Sequence, residues 1–188
     1  DCTVLGSTRD DAAGEAFDKV GKMLGLPYPG GPEIDRRARR PGANRTAYDL
    51  PRSMIDSGDF QFSFSGLKTS VYYLLEKLGS PLGEKIVDDL CASFQEAVID
   101  VLVSKTLAAT QATGERLVTV SGGVSCNSRL REAMAAACTG RNLELKFAEA
   151  AHSTDNAAMI AFAAAIKQGM IADPTGLDQD IDPNLGLR

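Results

Sequence analysis

An alternation in the last third of the chain limits the fold more than anything else in it. "RLVTV" (116–120), apolar and β-branched, runs into the glycine turn "SGGVSCN" and then the helical "NSRLREAMAAACTG". "LELKFA" (143–148) runs into "EAAHSTDN" and then the helical "AAMIAFAAAIKQG". Strand–helix–strand–helix with short connections implies right-handed crossovers and a mostly parallel sheet flanked by helices. The fold class is therefore α/β. Ligands in open α/β sheets bind at the carboxyl ends of strands, and that is where both loops fall.

The rest of the chain reads as helices and loops around that unit. "CTVLG" (2–6) has the look of a short strand ending at glycine. In "STRDDAAGEAFDKVGKMLGL", Ala13, Phe17, Val20 and Leu24 share one helical face, with Ser7, Thr8 or Asp10 as cap and Gly25 and Pro27 as stop. Asp11, Glu15 and Asp18 lie on a separate acidic face. "LPYPGGPEID" (26–35) reads as a rigid turn, because proline fixes φ and the glycine pair allows close backbone approach. Residues 36–62 are loop-like, and a helix follows from Ser65 in "FSFSGLKTSVYYLLEKLG". Residues 84–114 form one long helix, with Ile86, Leu90, Phe94, Ala97, Val101 and Leu102 near 3.6 spacing. The segment from Met170 onward, rich in Asp, Pro and Gly, reads as a flexible tail.

Composition narrows the class. The chain has 188 residues, 44% hydrophobic, enough for one domain with a real core. A net charge of −5 argues against non-specific nucleic-acid binding over the whole surface. Four well-separated cysteines, Cys2, Cys91, Cys126 and Cys138, form neither a disulfide framework nor a zinc knuckle and suit a reducing, cytoplasmic setting. No apolar run reaches the ~18 residues of a membrane span. The opening "DCTVLG", without Met, reads as a start inside a larger protein.

Candidate chemistry gathers at a few positions. Gly122 and Gly123 leave room for a ligand beside a helix start, where backbone N–H groups favour phosphate. The same glycines also serve simply as a turn. Asp155 sits among Ser153, Thr154 and Asn156, all favoured helix caps, so it is either a cap or a ligand. His152 is the sole histidine, and a functional metal site usually needs three protein ligands, so it reads as a surface or packing residue. Arg36, Arg37, Arg39, Arg40, Arg45 and Arg52 place six of the 20 basic residues in one stretch, which suits either nucleic-acid phosphates or a mobile solubilising loop. Lys68 in "SGLKT" is a further candidate for an anion contact.

Four motifs in order, "DDAAGEAFDKVGKMLGLPYPGGPEID", "FSFSGLKTS", "SGGVSCNSRLR" and "STDNAAMIA", make residues 1 to about 170 resemble the TsaD/Gcp family of tRNA adenosine threonylcarbamoyltransferases. The resemblance implies an actin-like (ASKHA, Hsp70/sugar-kinase-like) C-terminal lobe. It also implies transfer of a threonylcarbamoyl group from threonylcarbamoyl-AMP to the adenosine beside the tRNA anticodon. Carried over by motif, Asp18, Gly31 and Asp35 would hold the adenylate, with Asn127 contacting it and Gly122 and Gly123 allowing approach. Carboxylates suit ribose hydroxyls, which donate to them. Asp155 would bind one divalent metal, iron or zinc, whose implied role is to polarise the threonylcarbamoyl group. Implied partners are tRNA, contacted by Arg36, Arg37, Arg39, Arg40 and Lys68, and the TsaB-like and TsaE-like subunits of the bacterial modification complex.

One departure stands out. The HxxxH metal motif and the upstream Ser-Gly-Gly segment of the family's N-terminal lobe do not occur in these residues. The expectation is thus a C-terminal lobe over 1–170 with a tail over 171–188, inactive alone and unable by itself to hold the metal. Two other readings stay open: a non-catalytic paralogue acting as a binding or scaffold module, and a sugar-kinase-like ATPase.

Overall fold

The computed structural model describes residues 3–154 and 156–168. The chain divides into two units, Asp1–Ser153 and Thr154–Arg188.

In the first unit everything is arranged around one helix. α4 (Glu84–Thr113) buries Val87, Leu90, Cys91, Phe94, Ala97, Val98 and Val101, the three- and four-residue spacing of a helix face. It ends at Gly114, whose φ of +75° lets its N–H reach the Thr110 carbonyl at 2.9 Å. The N-terminal half of α4 packs with α1 (Ala13–Met23), α2 (Gly30–Ala38) and α3 (Ser65–Leu78) around Phe17, Val20, Ile34, Leu67, Val71 and Phe94. Phe17 and Phe94 meet edge to face, 5.2 Å between centroids. The C-terminal half carries Ile99 into a second cluster with Val118, Leu130, Met134 and Cys138. Each fully buried apolar side chain contributes roughly 1.5–3 kcal/mol.

That second cluster is the α/β part. β1 (Leu117–Val120) and β2 (Glu144–Phe147) pair in parallel, Val118 opposite Leu145, with α5 (Ser128–Thr139) crossing between them. The strand–helix–strand reading of 116–148 therefore holds. A different outcome meets "CTVLG": residues 3–6 form no strand, and Val4 and Leu5 are exposed. The chain pairs only just beyond, in an isolated parallel bridge between Thr8 and Phe62. A short apolar segment becomes a strand only where a neighbour supplies its ladder, and the described residues supply none there.

Two more expectations change. Residues 30–38 are helix rather than turn, so Arg36 and Arg37 stand on α2 and not in a loop. Pro32 falls in the first turn of α2, where the absent N–H costs no helical bond, and Ile34 buries one face. Asp10 does not cap α1, whose N-cap is Ala12. Its carboxylate instead accepts from the backbone N–H groups of Phe64 (2.8 Å) and Ser65 (3.2 Å) and from the Ser63 hydroxyl (2.5 Å). It thus caps α3 from across the fold.

In the second unit, α6 (Ala157–Gln168) is capped by Asn156, whose Oδ1 accepts from the Met159 N–H at 3.0 Å. Asp155 itself, like the 171–188 tail, lies outside the described residues.

Candidate functional site

α1 and α2 cross closely enough that glycine is required. A Cβ on Gly30 would lie 2.7 Å from the Phe17 carbonyl oxygen and 2.9 Å from the Asp18 Cα. This approach brings the Gly30 N–H to the Asp18 carboxylate at 2.7 Å. Asp18 thereby satisfies one of the free donors at the start of α2. It is not the solvated acidic residue that spacing alone suggests. Gly31 follows at the same helix end.

Farther along α2, Asp35 is buried. Its Oδ1 accepts from the Ser128 hydroxyl at 2.7 Å, and Arg39 stands 3.4 Å from Oδ2. Ser128 opens α5, and the residue before it, Asn127, caps that helix: its Oδ1 accepts from the Leu130 N–H at 2.9 Å. The Asn127 Nδ2 donates to Oε1 of Gln95 on α4 at 2.7 Å. Hydrogen bonds thus join α1 to α2 (Asp18–Gly30) and α2 to α5 (Asp35–Ser128), with Asn127 next in the chain to Ser128. Gly122 precedes this cap with φ +85°, followed by a 3₁₀ turn over Gly123–Cys126. A Cβ on either Gly122 or Gly123 would meet nothing within 4 Å.

Arg131 holds the two loops at the strand ends together. Its guanidinium donates to the Ser125 carbonyl (2.7 Å) after β1 and to the Ala148 carbonyl (3.2 Å) after β2, and it lies 4.5 Å over the Phe147 ring. The buried hydroxyls of Ser125 and Ser153 add a bond of 3.2 Å. Beside α5 a cavity of about 260 Å³ is lined by Arg39, Arg45, Gln95, Glu96, Ser128 and Arg129.

The arginine stretch is pinned rather than free. Glu84, Asp88, Glu96 and Asp100 follow the slanted i+4 ridge of α4. Arg40 reaches Glu84 and Asp88 (3.4 Å each), Arg37 reaches Asp88 (2.9 Å), Arg45 reaches Glu96 (3.9 Å), and Arg52 reaches Asp100 (2.9 Å). Ser93 adds bonds to the backbone of Asn44 and Tyr48. The mobile-loop reading gives way to a strap laid along α4. Arg36 and Arg39 remain 52% and 60% exposed, in pairs with Glu33 and Asp35, whereas Arg37 is only 16% exposed. Lys68 is held by Asp11 at 2.7 Å, and Asp11 also binds Lys19 at 2.7 Å. The hydrogen bonds from Lys19 and Lys68 keep the Asp11 carboxyl below the usual carboxylate range.

Sequence reasoning missed three polar residues that hold this region: Gln95, Asp88 and Lys105. Their signal was a polar residue interrupting the buried stripe of α4, as Gln95 does between Cys91 and Val98. Lys105 is 3% exposed and donates to the Ser57 hydroxyl and the Asp59 carbonyl.

Among the described residues no group of three or more His, Cys, Asp or Glu side chains is arranged to hold a metal. His152 is exposed, with its imidazole 3.7 Å from Glu149. The residues described here do not fit a metal centre.

A parallel strand pair with linked polar residues beside the loop after β1 defines an α/β protein whose candidate ligand residues sit on α1, α2 and that loop. The family model for TsaD, tRNA N6-adenosine threonylcarbamoyltransferase, matches residues 1–162, and the chain belongs to that family. A relative from Geobacter sulfurreducens carrying that name is 54% identical over 160 residues, 85% of this chain and 46% of the relative. One from Verminephrobacter eiseniae is 49% identical over 179 residues, covering 95% and 51%. One from a Polaromonas species is 46% identical over 186 residues, covering 98% and 53%. The chain spans about half the length of these curated relatives. No described helix is long and apolar enough to cross a membrane.

Proposed function

We propose that this chain is the C-terminal, actin-like lobe of a cytoplasmic enzyme that transfers threonylcarbamoyl from threonylcarbamoyl-AMP to the adenosine beside the tRNA anticodon. The observation that carries the reading is the hydrogen-bonded series Asp18–Gly30, Asp35–Ser128 and Asn127–Leu130. It holds the candidate adenylate residues of two separate motifs on one hydrogen-bonded frame. A carboxylate has about four acceptor positions, so Asp18 and Asp35 retain capacity for ribose hydroxyls after their internal bonds. Fixing both reactants in one orientation supplies much of the acceleration in such a transfer.

Half of a cleft does this poorly, so the 188-residue chain alone is proposed to be inactive. One divalent metal, iron or zinc, belongs to the proposal for the whole enzyme, with Asp155 as the candidate ligand this chain contributes. A single carboxylate does not retain it, and metal analysis of the purified chain is expected to find none bound. TsaB-like and TsaE-like subunits and tRNA are the proposed partners. Arg36 and Arg39, in exposed and therefore weak ion pairs, are the arginines of α2 and its end most open to tRNA phosphates.

The test uses a full-length protein carrying this segment, incubated with threonylcarbamoyl-AMP, its partner subunits and tRNA. Formation of threonylcarbamoyladenosine there, and none with the 188-residue chain, is expected. Modification by the chain unaided, or none by the full-length protein, overturns the proposal.

A further inference from the structure

We infer that Gln95 is a positioning residue for nucleotide binding, acting through Asn127; the inference rests on the proposed nucleotide role of Asn127. Gln95 is 3% exposed and Asn127 8%, and the Asn127 Nδ2–Gln95 Oε1 bond of 2.7 Å lies out of water. A primary amide offers two N–H donors and an oxygen with two lone pairs. In Asn127 one lone pair is taken by the Leu130 N–H and one donor by Gln95. These two bonds point in opposite senses along the amide, so the side chain cannot flip without breaking both. The second N–H of Asn127 makes no hydrogen bond among the described residues, and the two bonds fix its direction.

Gln95 makes no other side-chain hydrogen bond among the described residues. It lies in the buried stripe of α4, where an apolar side chain would satisfy the core, and it lines the cavity beside α5. Leaving a buried amide without its acceptor is costly, so removal of Gln95 sets Asn127 free to rotate toward other partners. The helix cap holds the oxygen end of the amide, and the Gln95 bond is the second restraint that fixes its nitrogen end.

The experiment uses the full-length protein and threonylcarbamoyl-AMP. Gln95→Met removes the acceptor at nearly constant volume, and Gln95→Glu keeps it. Asn127→Asp keeps the α5 cap and removes the donor. Gln95→Met is expected to raise the nucleotide KM up to about tenfold, the value of one hydrogen bond, with kcat within about twofold. Gln95→Glu is expected to bind as wild type. The double variant Gln95→Met/Asn127→Asp is expected to match Asn127→Asp alone. A raised KM in Asn127→Asp with none in Gln95→Met, or additive effects in the double variant, overturns the inference and leaves the nucleotide reading standing. An unchanged KM in Asn127→Asp overturns both. Should Gln95→Met not fold, NMR of the wild type decides: one Asn127 side-chain hydrogen protected from solvent exchange is expected, and two fast-exchanging ones overturn the inference.

Discussion

Two neighbouring glycines at the start of α2 are expected to respond to alanine with opposite sign. At Gly30 a Cβ would stand 2.7 Å from the Phe17 carbonyl oxygen and 2.9 Å from the Asp18 Cα, both backbone atoms of α1. Neither can rotate aside, so the helices must part. Overpacking of this kind costs roughly 1–3 kcal/mol. Parting also strains the 2.7 Å bond from the Gly30 N–H to the Asp18 carboxylate. A hydrogen bond to a charged group contributes about 1.5–3 kcal/mol. Against this, alanine gains up to about 1 kcal/mol over glycine in a helix, less in the first turn. The net for Gly30→Ala is a loss of about 2–4 kcal/mol. At Gly31 the added Cβ would lie 3.8 Å from the Phe17 Cβ, an ordinary contact, so only the propensity gain remains. Urea denaturation of the chain reads both, and thermal melting is expected to fall by roughly 5–15 °C for Gly30→Ala. Gly30→Ala within about 0.5 kcal/mol of wild type, or an equal loss at Gly31, refutes the close-crossing argument.

Other expectations follow from single groups. Asp10→Ala removes the cap of α3 and is expected to cost about 1–2 kcal/mol, with Asp10→Asn recovering most of it; equal urea midpoints for alanine and wild type would contradict the assignment. The Asp11 carboxyl is held below the ordinary value of 3.8 by Lys19 and Lys68, so its ionised form stabilises the fold above that pH and the contribution is lost as pH falls through the lower folded value. Asp11→Asn is therefore less stable than wild type at pH 7, and the gap closes below about pH 4; a gap independent of pH rules this out. Cys126 is exposed and is expected to react with a thiol reagent in the native chain. Burial pushes the Cys91 thiol up to about 12 and raises Cys138, so both should label only on unfolding, and rapid native labelling of either contradicts their packing.

Legibility in the sequence followed the range of the interactions. The long helix, α3, α5 and the two parallel strands were readable because each repeats its apolar residues at its own period, a property of neighbouring positions. The motifs that contain Gly31 and Asn127 were legible too, since both lie at helix starts, whereas Asp18 and Asp35 fall inside α1 and α2. The strand reading of 2–6 failed because a strand is half of a pairing, and composition does not say whether the other half is beside it. α2 was misread because "YPGGPEID" has turn chemistry at its first residues, and only the burial of Ile34 against α4 carries the helix onward.

The tertiary structure alone decided what the charged residues do. Asp11 and Asp18 read as parts of one acidic face and Asp10 as a cap of α1, yet Asp11 holds two lysines, Asp18 caps α2 and Asp10 caps α3. Arg37, Arg40, Arg45 and Arg52 read as part of a basic patch or mobile loop, and the ridge of acids on α4 that pairs them lies far along the chain. Apolar patterning is local because a helix or strand turns its own neighbours to one face. The partner of a charge is set by which segments fold together, and for Asn127 that partner is Gln95, a glutamine inside a buried stripe.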